Sequence, residues 1–230
     1  MPHKVDHHAI LDRIAAERGG QRNVLQELNP RRTAQLVIDM QNGFMEPGAP
    51  VEVPMAREVV EQINRISAAL RTAGGLNLFI RYTTPAEGDP PWSSFAERLG
   101  PAADGHKAAF LRGAHHWQLW PGLEATDADS LIEKKRFSAF VPGSSDLHEV
   151  LQQRGIDTVI VTGTMTNCCC ESTARDAMQM NYRTIFVPDA TAATTEHEHA
   201  ATLHTMGRIF ADLLSSDELI GMLERARAPA

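Results

Sequence analysis

Three short segments carry residue types that could perform covalent chemistry together. Asp39 closes the apolar run Gln35-Leu36-Val37-Ile38 and is followed by Met40-Gln41-Asn42-Gly43-Phe44. A carboxylate at the end of a buried strand is costly unless it is hydrogen-bonded or does chemistry; capping a loop is the other common use of Asp there. Cys168, Cys169 and Cys170 follow the run Thr158-Val159-Ile160-Val161 and the small-residue turn Thr162 to Asn167, just before a helical pattern. Such a junction aims backbone N–H groups and a helix dipole at one point. A thiol there titrates below its ordinary value of about 8.5, toward roughly 3.5 to 7.5, and becomes nucleophilic at neutral pH. Taken singly, a cysteine at this place is more often a small core residue. The third segment is Glu133-Lys134-Lys135-Arg136-Phe137-Ser138-Ala139-Phe140. A Lys-Lys-Arg run ordinarily marks a solvated face, yet Phe137 and Phe140 pull this one inward and would bring an ammonium toward the first carboxylate. Thiol, carboxylate and ammonium together would make an activated nucleophile.

The elements that must bring these groups together are legible as apolar runs. Strands are predicted at Gln35 to Ile38, Leu76 to Ile80, Leu131 to Glu133, Thr158 to Val161, Thr184 to Val187 and, less clearly, Ile209 to Leu213. Helical spacing covers Pro54 to Ala73, with Val59, Ile63, Ile66 and Leu70 three to four apart and Gly74-Gly75 behind them, and recurs at Asp146 to Arg154 and Cys169 to Asn181. Strands apolar on both faces and alternating with helices predict an α/β fold: three layers around a doubly wound, six-stranded parallel sheet of Rossmann-like type. Function then belongs at the carboxyl ends of the strands. Residues 1–30, with a weak helical patch at Ile10 to Ala16, read as an N-terminal arm and a candidate oligomer contact; residues 31–225 read as the single catalytic domain. Thr83 to Asp129, rich in Pro and Gly, reads as a long irregular connection of the lid or binding-loop kind.

Composition narrows the functional classes. A chain of 230 residues with 43% hydrophobic and 22% charged content suits one full core. The formal net charge of -7, with no basic stripe, disfavours nucleic acid as a partner. No apolar stretch approaches the roughly 20 residues that span a bilayer, and the His-rich start has no export signal, so no membrane partner and a cytoplasmic location are expected. Three adjacent cysteines cannot form a disulfide framework and read as thiols.

The segments Leu36 to Phe44, Glu133 to Phe140 and Val161-Thr162-Gly163-Thr164-Met165-Thr166-Asn167-Cys168-Cys169-Cys170-Glu171-Ser172-Thr173-Ala174-Arg175-Asp176-Ala177 resemble, in order, the three motifs of the isochorismatase-like cysteine hydrolase superfamily. The resemblance runs from about residue 33 to 223 and implies the isochorismatase-like hydrolase fold. It implies a catalytic set of Asp39, Lys134 and Cys169, choosing Cys169 by the Thr-Asn-x-Cys motif and Lys134 over Lys135. Asp39 would accept the thiol proton, Lys134 would stabilise the charged pair, and the thiolate would attack a carboxamide, carbamoyl or ureido carbonyl on the way to a thioester. The oxyanion would sit on the backbone N–H groups of Met165 and Cys169, the first aimed by a non-proline cis bond between Thr164 and Met165. Two alternatives are a vinyl-ether hydrolase of isochorismatase type, which does not depend on a cysteine, and a non-catalytic redox or scaffold member using the thiols.

Nicotinamidase relatives hold a metal through an Asp-x-His pair and a later His after the second strand; here that strand leads into Arg81-Tyr82-Thr83-Thr84-Pro85, so neither metal nor cofactor is expected. His115-His116 read as surface or pocket-lining residues, and His197, His199 and His204 follow a Thr-capped helix start at Thr194-Thr195-Glu196. Candidate substrate-binding residues are Gln41, Phe44, Arg81, Tyr82, Trp92 and Trp117, with Phe95 in the same loop. Arg81 could hold a substrate carboxylate by a two-pronged contact, or pair with Glu87 or another acid. The expected partner is a small amide or ureido substrate, and relatives are commonly dimers or tetramers, so a homo-oligomer is expected.

Overall fold

The computed structural model describes residues 3–227. Six strands, β1 (Thr33–Ile38), β2 (Leu76–Tyr82), β3 (Ser130–Lys134), β4 (Thr158–Thr164), β5 (Arg183–Ala192) and β6 (Asp212–Leu213), form one sheet in the order β3-β2-β1-β4-β5-β6. Every neighbouring pair is parallel. The helices are α1 (His7–Glu17), α2 (Asn42–Met45), α3 (Val60–Thr72), α4 (Ser93–Leu99), α5 (Ala103–Ala109), α6 (Leu147–Gln153), α7 (Glu171–Gln179), α8 (Glu196–Thr205) and α9 (Ser216–Arg227). The chain lays β2 and β3 to one side of β1 and then β4, β5 and β6 to the other. The loops leaving β1 and β4 therefore diverge and open a crevice at the carboxyl edge of the sheet.

Alternation along each strand separates two cores. Leu36, Ile38, Leu78, Ile80, Val159 and Val161 face Leu147 and Leu151 of α6 and Ala174 and Ala177 of α7. Val37, Phe79, Ile160, Ile185 and Val187 face Ile63, Ile66 and Leu70 of α3 and Leu219 and Leu223 of α9. Both faces are covered, which is why these strands read as continuous apolar runs rather than alternating ones. The end of α3 follows its glycines: Gly74 takes φ +84 and the Gly75 N–H donates to the Leu70 carbonyl at 2.9 Å.

Three expectations are corrected. The sixth strand is only Asp212–Leu213, because Met206–Phe210 winds as a π-helical turn that buries Met206 and leaves Ile209 exposed. The stretch from Thr83 to Asp129 is not irregular throughout: it contains α4, α5 and a 3-10 turn at His115–Trp117. The segment read as an arm is packed, since α1 puts Ile10, Leu11 and Ile14 into the first core. Farther on, the Val24 and Leu25 N–H groups donate to Asp212 of β6 at 2.9 and 2.6 Å. Among the described residues no helix is long and apolar enough to cross a membrane.

Candidate active site

Asp39 leaves β1 in the left-handed region, φ +54, while its N–H still donates to the Ile80 carbonyl at 2.8 Å. A non-glycine residue in that conformation is uncommon and is held by its surroundings, often at a functional site. Here it swings the carboxylate off the strand line.

Lys134 ends β3, opposite Tyr82 of β2 in the register and two strands from β1. Neighbouring strands lie about 4.8 Å apart, so only a long side chain crosses the end of β2. The lysine does so with its Nζ 5.5 Å from the centre of the Tyr82 ring. It ends 2.7 Å from Asp39 Oδ2, with both side chains fully buried, and also donates to the Arg136 carbonyl at 3.2 Å. Lys135 points elsewhere and pairs with Asp89 at 2.6 Å.

Cys169 lies in a π-helical turn, Thr166–Cys170, that follows a cis peptide bond between Thr164 and Met165. The α-helix expected from Cys169 thus begins two residues later, as α7 at Glu171. Cys168 and Cys170 N–H groups both donate to the Met165 carbonyl, at 3.1 and 3.2 Å. The turn reaches Asp39 because β4 hugs β1 at Gly163, where φ is +108 and a Cβ would drive into the Ile38 carbonyl. Only glycine meets both conditions.

The electrostatics differ from the expectation of a low thiol value. The hydrogen bond with Cys168, burial and the Asp39 charge push the Cys169 thiol well above its ordinary value, against Lys134. The same bond lowers Cys168, so of the two neighbouring thiols Cys169 is the one that holds its proton more tightly and needs a base. Burial raises the Asp39 carboxyl, opposed by Lys134 and by hydrogen bonding from Cys169. Burial alone would lower Lys134, but the Asp39 carboxylate reverses this and keeps the ammonium charged. The resting set is therefore a thiol, a carboxylate of enhanced basicity and an ammonium.

Cys169 opens on a cavity of about 170 Å³ lined by Phe44, Val51, Tyr82, Phe95, Leu99, His106, Phe137, Met165 and Cys168. Burial pushes the Tyr82 phenol up to about 12 and lowers His106, so both are uncharged at neutral pH.

A family model described as the Isochorismatase domain matches residues 33–218. The chain belongs to the isochorismatase family. It is 32% identical to Nicotinamidase 3 of Arabidopsis thaliana over 195 residues, covering 83% of this chain and 88% of the relative. It is 31% identical to the ureidoacrylate amidohydrolase RutB of Pseudomonas syringae pv. syringae over 208 residues, 83% of each chain. The crystal structure of a cysteine hydrolase from Pseudomonas syringae pv. phaseolicola superposes with a TM-score of 0.80 at 27% identity, covering 89% of this chain and 98% of that one.

In this isochorismatase-family chain the residues read from the sequence as substrate contacts divide. Phe44 and Tyr82 line the cavity. Gln41 does not: its Nε2 donates to the Tyr82 and Trp117 carbonyls at 3.0 and 2.9 Å, and its Oε1 accepts from the Tyr82 N–H at 2.8 Å. It ties the ends of β1 and β2 to the long connection. Arg81 also points away, 3.6 Å from the centre of the Trp117 ring and 3.8 Å from Glu133. Trp117 itself donates to Thr83 Oγ1 at 2.8 Å. Trp92 stands behind the cavity, its ring centre 4.4 Å from Phe95 and 4.8 Å from Phe137. His115 faces Glu46 at 2.7 Å, outside the lining. Val51, Leu99 and His106 are not legible in the sequence, because Val51 sits in a connection and Leu99 and His106 in the seven-residue helices α4 and α5, too short to show a periodic face. Among the described residues, the groups close enough to ligate a metal together are His7, His8 and Glu218, and none of them lines the cavity.

Proposed function

We propose that the chain is a cysteine amidohydrolase that cleaves the C–N bond of a small, uncharged carboxamide with an apolar or aromatic body. The observation that carries this reading is the buried pair of Lys134 and Asp39, 2.7 Å apart, beside a thiol that opens on an aromatic cavity. Asp39 takes the Cys169 proton as the sulfur attacks the carbonyl carbon, and Lys134 offsets the negative charge this creates. Backbone N–H groups of Met165 and Cys169 hold the oxyanion. Collapse breaks the C–N bond, Asp39 returns its proton to the departing amine, and a thioester remains. Asp39 then removes a proton from water, whose oxygen attacks the thioester; the acid leaves and the thiol re-forms.

An uncharged substrate is favoured because Arg81, the cation expected to bind a carboxylate, is occupied by Trp117 and Glu133. Lining by Phe44, Phe95 and Phe137 favours a flat or apolar body. The names of the relatives, a nicotinamidase and a ureidoacrylate amidohydrolase, support hydrolysis of a small amide or ureide. Ammonia release from a panel of aromatic amides, aliphatic amides and ureido acids tests the reading. Turnover of uncharged amides that disappears in Cys169→Ala supports it; wild-type turnover by that variant refutes the nucleophile, and exclusive turnover of ureido acids refutes the substrate class.

A further inference from the structure

Behind the nucleophile turn lies a buried histidine that the reaction as written does not use. His199 of α8 is 1% exposed, and its Nδ1 lies 2.9 Å from Oγ1 of Thr166, the first residue of the turn. Its other partner is the carbonyl of Pro188, which accepts only from an N–H. With the proton on Nε2, Nδ1 accepts from the Thr166 hydroxyl; with it on Nδ1, the ring donates to Thr166, and either neutral tautomer ties His199 to the turn. Burial, with the neighbouring His3, pushes His199 down to about 3, so the ring stays neutral throughout the working range.

The His199 ring is itself held in place. Its helix begins with a capping box in which the Glu198 N–H donates to Thr195 Oγ1 at 3.2 Å and the Thr195 N–H to Glu198 Oε2 at 3.0 Å. On its other face His3 stacks with ring centres 4.2 Å apart and planes 12° from parallel, and the Ala193 N–H donates to His3 Nε2 at 3.0 Å. Neither His3 nor His199 lines the cavity. Both lie where they can act on the reaction only through Thr166, three residues before Cys169.

We propose that His199 is a positioning residue that braces Thr166 and so keeps Cys169 aligned with Asp39, and that His3 completes the brace. The proposal rests on the cysteine hydrolase reading and gives the N-terminal segment a part in catalysis. The Met165 carbonyl secures the turn's backbone at Cys168 and Cys170. The Thr166 hydroxyl secures its flank to α8 through His199.

Alkylation of Cys169 by iodoacetamide, located by peptide mass spectrometry, reads thiol alignment without a known substrate. Thr166→Val keeps the shape and removes the hydroxyl; it and His199→Phe should each slow alkylation about 10- to 100-fold, the scale of a small misplacement of a reacting group. Because both cut one link, the double variant should be no slower than the slower single, within about twofold. Thr166→Ser should restore the wild-type rate, and His3→Ala should fall between the wild type and His199→Phe. Ser67→Ala, which removes a distant buried hydrogen bond to Gln35, should lower Tm yet leave the rate unchanged. Wild-type alkylation of Thr166→Val, or effects that multiply in the double variant, would overturn the proposal; if His199→Phe does not fold, the Val and Ser variants decide. Asp39→Asn separates the two readings. Asp39→Asn removes both the base and the charge that raises the thiol, so an unchanged rate refutes the triad, whereas a changed rate in Asp39→Asn, faster or slower, with an unaffected Thr166→Val refutes only the brace.

Discussion

Replacing Lys134 by Met removes the ammonium and leaves Asp39 alone in the interior. Across the 2.7 Å that separate the pair, at an effective dielectric of about 20, the gross attraction is about 6 kcal/mol. Desolvation of two fully buried side chains opposes that gain, so losing one partner should destabilise the fold by about 3 to 5 kcal/mol. The loss depends on pH with a definite sign. Burial already raises the Asp39 carboxyl, and without Lys134 it rises further. The folded variant then holds a proton that the unfolded chain, with a carboxyl near about 3.9, has released. Its stability therefore falls as pH rises between those two values. The wild type shares this fall up to its own raised Asp39 value, so the deficit against wild type should be smallest at the acid end and grow only above that value, by up to about 1.4 kcal/mol per pH unit, until Asp39 of the variant ionises. Urea unfolding of both proteins between about pH 4.5 and 8 measures it. The double variant Asp39→Asn/Lys134→Met buries no charge and should regain most of the stability while staying inactive. A deficit below about 1 kcal/mol at neutral pH, a deficit independent of pH, or a double variant no more stable than the single would refute the reasoning.

Three other outcomes follow from the same geometry. Cys168→Ala removes the largest influence raising the Cys169 thiol, so the pH midpoint of Cys169 alkylation should move down while amide turnover persists; an unmoved or higher midpoint contradicts the sulfur–sulfur contact. Gly163→Ala forces a Cβ into the Ile38 carbonyl at φ +108 and should cost about 3 kcal/mol or more by urea unfolding, with activity lost as β4 moves from β1; wild-type stability would show that this approach is not tight. Arg81→Lys gives up the stacking on Trp117 and should lower Tm, yet change kcat/KM for uncharged amides by less than about threefold, under 1 kcal/mol in transition-state binding. A large rise in KM there would place Arg81 in contact with substrate.

The local chain already determines much of this protein. Apolar runs buried on both faces specify β1, β2, β4 and β5 and hence a parallel sheet. The α3 periodicity with its Gly-Gly stop, and the Thr195 capping signal, depend on residues within a few positions of one another. The strand ends and the three family motifs likewise mark Asp39, Lys134 and Cys169 as one candidate set. The two-residue β6 is too short to leave a pattern.

Only tertiary structure decided what those groups experience and which side chains surround them. The Cys169 thiol rises rather than falls because Cys168, Asp39 and full burial act together at one point, and burial is a property of the packed molecule. Gln41 and Arg81 turn from the cavity because Trp117, 76 and 36 positions later, supplies their partners. Val51 enters the lining from a connection and Leu99 and His106 from α4 and α5, helices of seven residues each that are too short to show a face in the sequence. His3 meets His199 across almost the whole chain. Spacing along a sequence sets which way a strand or helix faces, whereas distance, solvent exclusion and the charge beside a group arise only when remote segments close on one another.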